Sequence, residues 1–232
     1  MSDQSPIYLI GDRAYLRPSR ILQVMRDPEY PEEPDPAVYR QAERLGVKLH
    51  AVIEAYLLTG AVRQSQLNTP EAQMAWQAFR RWQEAARPVV KPILGQPPVE
   101  LLVHAPSVGV ACRLDFWDQR PVLDIHLPGG FLTDWKVKRR LTRKDRIKLN
   151  ANWFILREWW EQQPIEANLL LPDKLRLVRL DKTVGDYQEE VFDPDQKLWE
   201  TFLHLKEAYQ DLYDEELQGA INDRGQDDSR DE

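Results

Sequence analysis

Asp134 and Lys136 stand two residues apart in Gly-Phe-Leu-Thr-Asp-Trp-Lys-Val, a run rich in strand-forming residues. Side chains two apart on a strand share a face, so this carboxylate and this ammonium would sit side by side. Hydrolysis of a phosphodiester needs the phosphate charge neutralised, a metal to activate water, and a cation near the developing negative charge. Carboxylates offer hard oxygen ligands for Mg2+ or Mn2+, and the lysine offers the cation. On a solvated strand face the same pair would do no chemistry.

Three further positions bear on that reading. Asp115 lies in Cys-Arg-Leu-Asp-Phe, where alternation turns Leu114 and Phe116 away from it. If the two strands pair as antiparallel neighbours, Asp115 and Asp134 converge on one metal. Glu100 opens the strand-like run Leu101-Leu102-Val103 and would reach the same end of a sheet, or else be a strand-edge charge. Gly46, His50 and Glu54 fall at i, i+4 and i+8, one stripe of a helix. A glycine inside a helix costs about 1 kcal/mol against alanine, and close approach of the helix to the sheet would justify it. That approach would bring His50, a common ligand for manganese-like metals, towards the carboxylates. Alternatively His50 and Glu54 hydrogen-bond each other.

The elements that must position these residues follow from periodicity. A hairpin around Gly11-Asp12 leads to Pro18-Ser19, where Ser19 would cap a short helix through Ile21, Leu22 and Met25. An acidic, proline-rich connector precedes a helix from about Ala37 to Leu58, and Asn68-Thr69-Pro70-Glu71 signals a second. Four short apolar runs, VELLVHA, VGVACRLDFW, PVLDIHL and GFLTDWKV, read as antiparallel strands. A helix from about Arg143 to Gln162, two more strand-like runs and a last helix to about Gln218 complete the order. The expected fold is a single α/β domain over residues 1–218, a central mixed β-sheet flanked by helices, with residues 219–232 an acidic, disordered tail.

In this order (Pro-Ser after a hairpin, Gly-x-x-x-His-x-x-x-Glu, Glu100, Asp115, Asp134-x-Lys136, then a helix) the chain resembles the RecB-like branch of the PD-(D/E)XK nuclease superfamily. Its small exonucleases, such as the mitochondrial genome maintenance exonuclease and phage or bacterial relatives, are the most similar members. The resemblance runs from the first hairpin to the final helix with Trp199 and Phe202. It implies a restriction-endonuclease-like core and a metal-dependent deoxyribonuclease, an exonuclease on single strands or DNA ends, with Mg2+ or Mn2+ as cofactor. It implies that His50, Asp115, Asp134 and the backbone carbonyl of Trp135 hold the metal, and that Lys136 positions the attacking water. Glu100 would support metal or water, with Glu54 behind His50 and Asn150 behind the site. The chain departs from the family at Cys112, often glycine, at Val137, often threonine, and at Asn150 and Phe154, where glutamine and tyrosine are usual. A nuclease fold that binds DNA or assembles without cutting, and an endonuclease with the same chemistry, are the other readings of these motifs.

Directly after the triplet comes a basic block: Lys136, Lys138, Arg139, Arg140, Arg143, Lys144, Arg146 and Lys148, with Asp145 the only acid. Beside a metal site it would hold a phosphate backbone, in spite of a formal net charge of -7. Among the tryptophans Trp135, Trp153, Trp159 and Trp160, any that is exposed could stack on bases, but Trp153 and Trp160 recur at helical spacing and are expected in the core. A single cysteine rules out an intrachain disulfide, a four-cysteine zinc site and the iron–sulfur cluster of a related CRISPR-associated branch. No apolar run is long enough to span a membrane, and the N-terminal residues lack signal-peptide features, so a cytoplasmic location is expected. DNA is the expected partner, with a recombination or replication protein as a further candidate.

Overall fold

The computed structural model describes residues 5–25, 35–119, 130–163 and 171–227. The expected strand PVLDIHL and most of the proline-rich connector lie outside the described residues.

Strands β1 (Ile7–Ile10) and β2 (Arg13–Leu16) form the expected hairpin. The short helix α1 (Pro18–Ile21) is not capped by Ser19, which lies inside it. Arg17 is its N-cap residue, and Pro18 takes the first helical position, where a missing N–H leaves nothing unpaired. Helix α2 (Pro36–Thr59) starts at Asp35, whose carboxylate accepts from Ala37 N at 2.8 Å. Helix α3 (Pro70–Ala86) starts at Thr69, whose hydroxyl accepts from Ala72 N at 3.2 Å. Then come β3 (Val99–Ala105), β4 (Val110–Gln119), β5 (Gly130–Lys136), α4 (Arg143–Glu161), β6 (Lys174–Leu180), β7 (Tyr187–Phe192) and α5 (Gln196–Asp227). Helix α5 continues past Gln218 into the segment expected to be irregular, and its φ/ψ leave the helical region at Tyr213. Among the described residues no helix is long and apolar enough to cross a membrane.

The strands form one mixed sheet in the order β1-β2-β4-β5-β6-β7, with β3 paired to β4. Pairs β3/β4, β4/β5 and β6/β7 are antiparallel, whereas β5 and β6 are parallel and joined through α4. The close approach of β4 and β5 depends on Gly130, where a Cβ would stand 2.7 Å from the Asp118 carbonyl oxygen. Apolar side chains of α4 and α5 (Ile147, Ile155, Phe202) cover one face with Leu101, Leu114 and Leu132. Helices α2 and α3 cover the other, where Leu49, Ile53, Phe79 and Trp82 pack on Val99, Phe116 and Trp135. The α/β architecture is therefore the expected one, helices on both faces of a central mixed sheet.

Those two cores expose a departure from regular alternation. Leu101 packs on the α4 side but Val99 on the α2–α3 side, and β4 does the same with Leu114 and Phe116. Both strands switch face at facing positions, Glu100 and Asp115. The expectation that Leu114 and Phe116 share a side is thus corrected. Glu100 carries the distortion, with φ at +52°, a conformation costly for a side chain with a Cβ.

Candidate metal centre and its cleft

The face switch aims two carboxylates at one point beneath α2. Carboxylate oxygens of Glu100 and Asp115 and a ring nitrogen of His50 all lie within 4.8 Å of one another. A six-coordinate Mg2+ or Mn2+ with ligands at about 2.1 Å sets neighbouring ligand atoms about 3 Å apart, so modest side-chain adjustment would close this group on an ion. Two hard oxygens and an imidazole fit such an ion.

His50 is held from two sides. Its Nε2 lies 3.0 Å from the Trp135 carbonyl oxygen, which can only accept, so Nε2 carries the proton of that bond. Nδ1 is thereby turned to Asp115 Oδ2, 3.4 Å away, and offers its lone pair there when the ring is neutral. The carbonyl is itself well anchored, because the Trp135 ring stacks on Phe116 and meets Phe79 and Trp82 edge-on. Asp115 completes the frame by accepting from Trp135 N at 3.1 Å. This bond replaces the β4–β5 ladder, whose last pair on this side is Phe116 with Thr133.

Burial raises the Glu100 carboxyl to about 7, helped by the Asp115 and Glu54 carboxylates and opposed by His50 and Arg113. Glu54 shares the cleft wall with Glu100, and His50 takes its contacts from Trp135 and Asp115. Gly46 does not mark close approach to the sheet. A Cβ there would meet nothing within 4 Å, and the residue borders the open cleft.

Asp134 and Lys136 lie side by side as expected, with Lys136 Nζ 2.5 Å from Asp134 Oδ2. Lys148 Nζ comes from α4 to within 3.1 Å of Oδ1. Burial alone would raise the Asp134 carboxyl, but the two lysines overcome it and hold the group well below the usual carboxylate range. Burial would likewise lower Lys148, yet Asp134 and Asp115 keep it above the usual lysine range. Asp134 is 1% exposed and sits outside the group of ligand atoms that His50, Glu100 and Asp115 form. The Trp135 carbonyl, the fourth expected ligand, is engaged by His50.

A cleft of about 750 Å³ is bordered by His50, Glu54, Glu100 and Asp115 together with Lys136, Lys138 and Lys148. Pro18 and Ser19, distinctive in the sequence, line its rim beside Arg17. Asn150 is placed elsewhere, which corrects its expected role. Its amide donates to the Asp195 carbonyl at 2.9 Å and accepts from Asp195 N at 2.8 Å, tying α4 to the start of α5. The α4 residues that reach the cleft are Lys148 and Asn152. Arg113 and Asn152 escaped sequence reasoning; their signals were spacing of two from Asp115 on a strand and of four from Lys148 on a helix.

The basic block divides by location. Arg139, Arg140 and Arg143 are exposed at the loop and first turn of α4, and Lys144 is half-buried. Lys138 contacts Asp145, whose carboxylate also accepts from Thr142 N at 2.8 Å at the start of α4. Arg146 pairs with Glu190 of β7 at 2.5 Å. Lys148 turns inward, away from the outer surface. Trp135 and Trp159 are buried, at 2% and 6% exposed, and Trp153 and Trp160, though half-buried, pack against the core as expected.

No protein-family model and no curated protein matches the chain. Two solved structures are similar to it at low score. One is an alkaline exonuclease, LHK-Exo from Laribacter hongkongensis, with a TM-score of 0.42 and 14% identity over 93% of this chain and 94% of that one. The other is LHK-Exo in complex with dAMP, with a TM-score of 0.45 and 12% identity over the same shares of both chains.

Proposed function

We propose that this protein is a metal-dependent nuclease that hydrolyses phosphodiester bonds in DNA, acting on single strands or ends. The observation that carries the reading is one cleft in which His50, Glu100 and Asp115 converge and which Lys136 also lines. A bound Mg2+ or Mn2+ would supply Lewis-acid stabilisation of the phosphate and a more acidic water.

The chain's own residues do the rest. His50, Glu100 and Asp115 hold the ion, with the Trp135 carbonyl fixing the tautomer of His50. Glu100 must give up its proton to do so, which its raised pKa makes easy only near neutrality and above. Lys136, oriented by Asp134, positions the attacking water and offsets charge on the phosphate. The water oxygen bonds to phosphorus and gives up a proton to solvent, the bond from phosphorus to the leaving sugar oxygen breaks, and that oxygen takes up a proton from solvent. Arg139, Arg140 and Arg143 lie outside the cleft in exposed positions suited to the neighbouring phosphates.

The test is digestion of end-labelled single- and double-stranded DNA with Mg2+ or Mn2+. Cleavage abolished by EDTA supports the reading, and release of mononucleotides from one labelled end assigns an exonuclease. Nicking of a closed circle would assign an endonuclease instead. A second reading, DNA binding without catalysis, is favoured by the engagement of Asp134 with both lysines. It requires intact DNA at every metal concentration and binding unaffected by Lys136→Ala.

A further inference from the structure

We propose that Lys148 is a second catalytic cation, reaching from α4 to contact a non-bridging oxygen of the scissile phosphate beside Lys136. This inference rests on the nuclease reading and adds a residue to it.

Position is the first argument. One carboxylate, Asp134, holds two ammonium groups, Lys136 Nζ at 2.5 Å on Oδ2 and Lys148 Nζ at 3.1 Å on Oδ1. Asp134 is 1% exposed and does not border the cleft, whereas both lysines do. The carboxylate therefore stands behind the ammonium groups and orients them. Each ammonium has three donors, and bonding to Asp134 leaves others to turn towards the cleft.

Charge balance is the second. Two lysines against one carboxylate leave one positive charge in surplus. Asp115 lies near enough to offset part of it in the metal-free protein, as its influence on Lys148 indicates. A divalent ion on His50, Glu100 and Asp115 takes up that negative charge. The two ammonium groups then keep Asp134 as their carboxylate contact, and an anion between ion and lysines takes up the remaining charge. A phosphodiester is such an anion, and its two non-bridging oxygens match a metal on one side and paired ammonium groups on the other.

The third argument comes from the next turn of α4. Asn152 borders the same cleft, is 2% exposed, and its Oδ1 has no hydrogen-bond partner. A buried amide oxygen without a partner is costly, so a helix face serving only the core would carry an apolar side chain there. Lys148 and Asn152, four residues apart, make this stripe of α4 a polar wall facing the place where the phosphate would lie.

The test separates a cation on the phosphate from a lysine that only steadies Asp134. Lys148→Gln keeps a hydrogen-bond donor for Asp134 but removes the charge. On an end-labelled single strand with Mn2+, kcat is expected to fall about 100-fold, as for loss of a preorganised transition-state donor, with Mn2+ affinity unchanged. Lys148→Arg should recover much of the loss. A second readout needs no catalysis: with Ca2+ in place of Mn2+, the salt dependence of oligo-dT binding should lose about 0.7 in log–log slope, the value of one single-strand phosphate contact. Full activity in Lys148→Gln, or a lost activity that tracks lost Mn2+ binding with an unchanged salt slope, would overturn the inference while leaving the nuclease reading intact. Absence of cleavage by the wild-type protein would overturn both.

Discussion

Glu100 is buried beside Asp115 and adopts a backbone conformation that few side chains favour, with φ at +52°. A carboxyl whose pKa is raised by folding, here from 4.5 to about 7, stabilises the fold only while protonated. Its contribution is complete below pH 4.5 and is lost as pH rises through about 7. Metal-free Glu100→Gln should therefore gain in melting temperature relative to wild type as pH rises from 4.5 to 7, with no further gain above that. A difference that does not change with pH would refute the assignment. Metal binding has the opposite trend, because the ion displaces the proton: Mn2+ affinity of the wild type should rise with pH up to about 7, and the rise should be smaller in Glu100→Gln. At this scale much of the site was legible. His50, Glu100, Asp115 and Lys136 announce themselves by type and spacing, and the structure brings all four to one cleft. Asn150 misled because spacing along a helix does not fix its rotation about its own axis. That rotation is set by packing, which sends Asn150 to Asp195 and Lys148 into the cleft.

Secondary structure positions the site through the aromatic cluster under α3. Phe79 and Trp82 pin the Trp135 ring, the Trp135 carbonyl pins His50, and Trp135 N holds Asp115. Phe79→Ala should cost about 3–5 kcal/mol of stability by urea unfolding, the usual cost of emptying a buried aromatic site. It should also weaken Mn2+ binding, because the cavity opens beneath the carbonyl that orients His50. Phe202→Ala, on the opposite face with α5, should cost a similar amount and leave Mn2+ affinity intact. Equal effects of the two on Mn2+ binding would disconnect the aromatic cluster from the metal centre. The start of α3 was readable from its cap, and the strands 99–105, 110–119 and 130–136 from apolar runs. The face switch at Glu100 and Asp115 was not, since simple alternation predicts that Leu114 and Phe116 lie together and only the packing of two cores separates them. The extension of α5 past Gln218 escaped because its acidic composition reads as a solvated tail.

The whole molecule is acidic, at -7, yet the rim of α4 presents Arg139, Arg140 and Arg143 to solvent. Local charge, not the average, governs contact with a phosphate chain. Replacing these three arginines by alanine should weaken single-strand binding without regard to sequence and flatten its salt dependence, with Mn2+ affinity untouched. Unchanged binding across a salt titration would place the nucleic-acid path elsewhere on the surface. The central claim is that His50 and Lys136 serve one metal-dependent hydrolytic centre. It is tested most directly by Mn2+-dependent digestion of 5′- and 3′-labelled single strands with wild type, His50→Ala and Lys136→Ala side by side. The account predicts EDTA-sensitive cleavage by wild type, loss of Mn2+ binding and cleavage in His50→Ala, and Mn2+ binding retained without cleavage in Lys136→Ala. Equal cleavage by all three proteins, or none by the wild type, would contradict it.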